Sequence, residues 1–175
     1  MIVFGLTGWS GSGKTTLLVQ LVERLSALGI SVSTVKHAHH AFDIDKPGKD
    51  SHRHRAAGAQ EVMVASANRW ALMHELRGVP EPSLDELIGH MTPVDLLLVE
   101  GFKQARHAKL EIWRAGQDGP LRAPGDPTIV GVATDTPDSV TPLVAVPVLD
   151  LNDIAPIARF ILDHCGLADS RLASA

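Results

Sequence analysis

The amino terminus is apolar, and Ile2 to Leu6 reads as a short strand that runs directly into glycines. Leu17, Leu18, Leu21, Val22, Leu25 and Leu28 then recur at helical spacing, and Gly29 marks a stop. From Ile30 to Val35 apolar and polar residues alternate, as along a strand. Strand, glycine turn, helix and strand make a βαβ unit that opens at the first residue. Residues 37–50 carry no apolar period, and their His, Asp and Pro47–Gly48 content marks a loop. Asp50 or Ser51 can cap a short helix to about Ala57, with Gly58 as its stop. Glu61 to Ala65 and Trp70 to Met73 predict two short strands.

Ser83-Leu-Asp-Glu86 is a capping-box pattern that opens a helix to about His90. Val94 to Val99 is apolar on both faces, as a buried central strand is. Further strands are expected at Leu110 to Arg114, Ile129 to Ala133 and Val144 to Leu149, with a Gly/Pro-rich loop over 115–127. Asn152 is the expected cap of a last helix that carries Ile154, Ile157, Ala158, Ile161 and Leu162 on one face and ends at Gly166. This alternation predicts an α/β fold, a mostly parallel, doubly wound sheet with helices on both faces in three layers. Ligands of such sheets bind beyond the carboxyl ends of the strands. A single domain is expected over 1–166, with 167–175 a frayed tail.

Composition narrows the classes. The chain has 175 residues, of which 45% are hydrophobic and 21% charged, enough to bury a core. A net charge of −4 with no basic block argues against nucleic-acid binding. The one cysteine, Cys165, rules out an intramolecular disulfide and a multi-cysteine metal site. Its place at the end of the last helix reads as core packing rather than a nucleophile. No secretory pattern is present and no apolar run approaches the roughly 18 residues of a membrane span, so a cytoplasmic protein is expected. The oddity is nine histidines, with His37, His39, His40, His52 and His54 in one segment.

The strongest chemical signal is Gly8-Trp-Ser-Gly-Ser-Gly13-Lys14-Thr15, which fits the P-loop pattern between a strand and a helix. Its glycines let backbone N–H groups converge on an anion, and the helix dipole adds positive potential. Gly11, Ser12 and Gly13 supply the cradle. Lys14 brings a point charge to the β/γ-phosphates, and is the one fixed cation expected there. Thr15 offers a hydroxyl to Mg²⁺, and Thr16 reaches the α-phosphate. The fold expected is therefore that of the P-loop NTPases.

A second signal is the apolar run 94–99 ending in Glu100, where such proteins keep an acid that holds Mg²⁺ through water or orients an attacking water. Lys14 and Glu100 are the catalytic candidates. Asp95, at the other end of that strand, reads as structural. Asp50 is a third magnesium candidate, with Asp43 and Asp45 competing for the role. No N-K-x-D guanine motif exists, but Thr134-Asp135 follows a strand where a base-reading loop would sit. A carboxylate there could accept from guanine N1 and N2. The histidines show no fixed ligand spacing, so a partner-contacting loop is favoured over a dedicated metal site.

Four stretches carry a resemblance: GLTGWSGSGKTTL, TVKHAHHAFDIDKPGKDSHRHRAAGA at 34–59, DLLLVEGFK at 95–103 and PVLDLND at 147–153. Together they resemble the MobB family of molybdopterin-guanine dinucleotide biosynthesis adaptor proteins, over about residues 1–165. The resemblance implies a GTP-binding adaptor with weak GTPase activity that works as a homodimer and uses Mg²⁺. It would assist the molybdenum cofactor guanylyltransferase in attaching GMP to molybdopterin, and molybdoenzymes are further implied partners. By position it implies phosphate contacts at Gly11, Ser12, Gly13, Lys14, Thr15 and Thr16, magnesium at Thr15, Asp50 and Glu100, and a switch-like loop of Lys36, His37 and the acids at 43–50. Ala41 departs from the family pattern, which has an acid after the His pair, so nothing is carried over to it.

Two other readings belong to the same fold. A small-molecule kinase would need an arginine-rich lid, whereas Arg53, Arg55 and Arg69 are scattered. A GTP-dependent metallochaperone would use a Cys-Pro-His type metal site, and Cys165 lies far from such a context.

Overall fold

A computed structural model describes residues 1–38, 42–117 and 119–168. The elements in chain order are β1 (Ile2–Thr7), α1 (Lys14–Ala27), β2 (Val32–Lys36), α2 (Asp50–Ala56), β3 (Glu61–Ala65), β4 (Trp70–His74), α3 (Leu84–Gly89), β5 (Leu96–Glu100), β6 (Lys109–Trp113), β7 (Ile129–Thr134), α4 (Pro137–Val140), β8 (Val148–Asp150) and α5 (Ile154–His164). The chain divides into two compact units, one of residues 1–37 with 92–175 and one of residues 38–91.

In the first unit six strands form one parallel sheet in the order β2-β5-β1-β6-β7-β8. The chain runs from central β1 out to β2, back through β5 and then across to β6. The carboxyl ends of β5, β1 and β6 therefore share one edge, where strand order reverses and a ligand site is expected. α1 and α5 pack together over one sheet face, burying Leu17, Leu21 and Leu25 against Ile157, Ile161 and Leu162. Leu96 and Leu98 of β5 join this core, and Leu97 and Val99, of opposite parity, are equally buried. That is why the run reads as apolar on both faces.

Helix ends follow local chemistry. α1, α2 and α5 each close with a glycine at positive φ: Gly29, Gly58 and Gly166. In each, the next residue's N–H reaches back five positions in a Schellman motif, as from Ile30 to Leu25, Ala59 to His54 and Leu167 to Leu162. The last of these holds Leu167 and Ala168 against the core, so the chain stays packed beyond 166. The expected tail from 169 onward lies outside the described residues.

Two expected caps are corrected. Asp153, not Asn152, caps α5, accepting from the Ala155 N–H, while Asn152 donates to Asp150. Lys49 occupies the cap position of α2, so Asp50 is already helical and caps nothing. The expected strand 144–149 shortens to Val148–Asp150, because Pro142 falls in a 3₁₀ turn and Pro147 has no N–H to donate.

The second unit holds an antiparallel hairpin, β3 with β4, preceded by α2 and followed by α3. The capping box is present: Ser83 Oγ accepts from the Glu86 N–H, and Glu86 accepts from the Ser83 N–H. Among the described residues no helix is long and apolar enough to cross a membrane.

Candidate functional site

The site forms where β1 leaves the sheet. Gly8 lies so close to β6 that a Cβ there would collide with the Ile112 carbonyl, so only glycine lets the loop start here. Lys14 folds back into the loop, its Nζ donating to the carbonyls of Gly8 (3.1 Å) and Trp9 (2.7 Å). Two of its three N–H groups are thereby anchored, which fixes the ammonium inside the curl. Burial lowers the Lys14 pKa, and the Glu100 carboxylate opposes that shift. Ser12 is fully buried and its Oγ has no hydrogen-bond partner among the described residues.

Thr15 opens α1 and faces the end of β5, its Oγ1 donating to Glu100 at 3.2 and 3.3 Å from the two carboxylate oxygens. Glu100 is nearly buried. Lys36 stands opposite it in register, with Nζ 3.7 Å from Oε1. The His37 N–H donates to the Glu100 carbonyl, and its ring packs on Phe102 with centroids 4.8 Å apart. Gly101 at φ +96 permits this approach, since a Cβ there would stand 2.7 Å from the His37 Cβ. Phe102 itself takes φ 47, a strained setting for a non-glycine residue that places its ring on His37.

A further loop covers the opposite flank. Arg122 lies over the Trp9 ring at 4.0 Å, and Trp9 Nε1 donates to the Pro120 carbonyl. Glu111 of β6 holds this loop by accepting from the N–H groups of Arg122 and Ala123. Burial pushes the Glu111 carboxyl up, while those amides pull it down. Lys109, two residues earlier on β6, donates to the Ala105 carbonyl and to Thr128 Oγ1, tying down the loop before the strand.

Of the residues expected at the site, Gly11, Ser12, Gly13, Lys14, Thr15, Thr16, Lys36, His37 and Glu100 share this edge of the first unit. Asp50 belongs to the second unit, where its exposed carboxylate is 3.7 Å from Arg53. Asp43 and Asp45 are also in the second unit and bind Arg55. Thr134 is fully buried and accepts from the Thr136 N–H, so its hydroxyl is spent within its own turn. Asp135 accepts from the Ala115 N–H and from Arg114. Asp95 accepts from Ser31, the structural role expected of it. Cys165 packs against the core, and burial raises its pKa to about 11, far from a nucleophile's. His39, His40 and Ala41 lie outside the described residues. Among the described residues no group of three or more His, Cys, Asp or Glu could hold a metal ion.

Lys14 is not the only fixed cation at the loop. Arg114 stands on it, donating from Nε to the Ser12 carbonyl at 3.2 Å. The sequence signal was its place just past a strand at the ligand-binding edge, but that signal has force only once β6 is known to adjoin β1.

Residues 3–135 match the family described as molybdopterin guanine dinucleotide synthesis protein B, MobB. The chain is 42% identical over 164 residues to the molybdopterin-guanine dinucleotide biosynthesis adapter protein of Escherichia coli, covering 92% of this chain and 91% of that one. Its counterpart in Haemophilus influenzae is 44% identical over 162 residues, covering 91% and 86%. Among solved structures, a MobB protein homolog from Bacillus stearothermophilus superposes with a TM-score of 0.69 at 26% identity, over 95% of this chain and 99% of that one.

Proposed function

The chain belongs to the MobB family, and on that premise we propose that it is a GTP-binding adapter in molybdopterin guanine dinucleotide biosynthesis. The observation that carries the nucleotide part is the meeting of Lys14, held inside the glycine loop, with Thr15 against Glu100. A polyphosphate needs N–H donors, a point charge and a cation site, which the glycine loop, Lys14 and the Thr15–Glu100 pair would provide in turn.

Thr15 Oγ1 and the Glu100 carboxylate are hard oxygen donors side by side, a set that suits Mg²⁺ completed by phosphate oxygens and water. When bound, the ion neutralises charge on the β- and γ-phosphates. Lys14 holds the terminal phosphates, and Lys36 sets a second cation beside Glu100. Glu100 would also orient a water for slow GTP hydrolysis. The chemistry that joins GMP to the pterin would belong to a partner, the molybdenum cofactor guanylyltransferase, with molybdoenzymes as further contacts. We take the chain to act as a cytoplasmic homodimer.

The test has two arms. Titration with Mg²⁺ should show GTP bound more tightly than ATP; ATP bound equally well would defeat the GTP reading. Affinity capture with GTP and Mg²⁺ at physiological salt, read by mass spectrometry, should recover the guanylyltransferase or a molybdoenzyme.

A further inference from the structure

A polar cleft lies along α1, lined by Gly13, Thr16, Leu17, Gln20, Arg114, Leu151 and Asn152. Thr15 faces Glu100, whereas Thr16 and then Gln20, one turn on, face this cleft. The two sides of the α1 amino terminus therefore serve different parts of a ligand. One takes the terminal phosphates and the cation. The other is left for the α-phosphate and nucleoside.

We propose that Arg114 is a nucleotide-binding residue that grips the α-phosphate in this cleft, and that Asp135 positions Arg114 instead of reading the base. The proposal rests on the nucleotide reading above. β6 runs parallel to β1, with Thr7 opposite Glu111, so residue 114 leaves the sheet beside the phosphate loop. A Cβ on Gly13 would stand 3.5 Å from Arg114 Nε and Nη2. The guanidinium donates to the Ser12 carbonyl at 3.2 Å and to Asp135 Oδ2 at 3.4 Å. A guanidinium has five N–H groups, so these two bonds leave three for a ligand. A planar fork on rigid support suits a tetrahedral phosphate oxygen pair. Asp135 accepts on both oxygens from this same segment, Oδ1 from the Ala115 N–H at 3.1 Å and Oδ2 from Arg114. Its carboxylate thereby fixes the position of residues 114–115.

The experiment is calorimetric titration of the full chain with GTP, GDP, GMP and guanosine. Arg114→Ala should weaken GTP and GMP by the same factor, about 10- to 100-fold, the range of one charge-assisted hydrogen-bonded contact, and leave guanosine unchanged. Lys14→Ala should weaken GTP far more than GMP, because GMP carries only the α-phosphate. Arg114→Lys should recover part of the loss, which separates a lost contact from a lost fold. Asp135→Asn should weaken GTP and GMP together, by less, and keep the preference for GTP over xanthosine triphosphate.

Arg114→Ala that binds like the wild type while Lys14→Ala fails would overturn the role of Arg114 and leave the nucleotide reading standing. A shift of Asp135→Asn toward xanthosine triphosphate would show that Asp135 reads the base and overturn the positioning role. A wild-type chain that binds none of these ligands would overturn the nucleotide reading itself.

Discussion

Arg55 in the second unit and Arg114 beside the phosphate loop are both guanidinium groups held by carboxylates, but they are held to different degrees. Arg55 meets three acids at once. Nε lies 3.3 Å from Asp45, Nη1 2.9 Å from Glu75 and Nη2 2.8 Å from Asp43. Its carbonyl also accepts from Arg77, which binds the Ala59 carbonyl as well. The group closes loop 42–49, α2 and the end of the hairpin on one another. Arg114 has a single carboxylate and one carbonyl, and its side chain is 40% exposed. A charge whose donors are used up is a strut, and one whose donors are left over can meet a ligand. The same distinction separates Glu111, filled by backbone amides, from Glu100, which a hydroxyl and a distant ammonium leave with capacity to spare.

If that distinction holds, removing an open group should cost ligand affinity, and removing a closed one should cost stability. The largest effect is expected from Lys14→Ala. GTP affinity should fall by about 100-fold or more, since truncating one member of a desolvated charge pair costs roughly 2–5 kcal/mol. The melting temperature without nucleotide should barely move; a collapse of the fold would class Lys14 with the struts.

Glu100→Gln comes next. Binding measured in a chelator should be unchanged, while the gain from added Mg²⁺ and the hydrolysis rate should fall by about 10- to 100-fold, the range for losing a group that supports a metal site.

Glu111→Ala should do the opposite, lowering stability by about 1–3 kcal/mol in a denaturant titration because two amides lose their acceptor. Hydrogen exchange at 119–123 should rise with it, and a silent variant would break the comparison from the closed side.

The smallest effect is acid sensitivity in the second unit. The Asp45 N–H and the Arg55 guanidinium hold Asp43 below the ordinary carboxylate range. Bonds from Ser51, Lys46 and Arg55 hold Asp45 there too, against its burial. Depressed carboxyl values favour folding above the unfolded range, near about 4, and that support is lost as pH falls through the folded values. Amide protection over 43–49 should therefore persist at pH 4 and fail only below it. Arg55→Ala should move that failure upward.

The glycine-loop end of the site was legible in the residues because its parts are local in the chain. A glycine loop, a lysine and a threonine adjoin one another in the chain, and Glu100 ends an unbroken apolar run. Helix stops at Gly29, Gly58 and Gly166 were legible for the same reason. The α5 cap was misplaced by one residue because Asn152 and Asp153 are both good caps, and only the bond from Asn152 to Asp150 decides between them. Thr134 and Asp135 stood at the right edge of the sheet, yet what their side chains meet depends on residues 114 and 115 of another strand.

Hydrophobic period and turn chemistry act over a few residues, so the α/β alternation, the glycine loop and the strand-end acid follow from the residues alone. Which cations stand at the loop depends on strand pairing. Arg114 lies 102 residues from Ser12, and Arg122 is farther still from Trp9 in the chain, and only the pairing of β6 with β1 brings them together. It also divided the acids, giving Glu100 to the loop in the first unit and Asp43 and Asp45 to an arginine in the second. Charge is a property of a residue type, but whether that charge is spent or available depends on its neighbours in space.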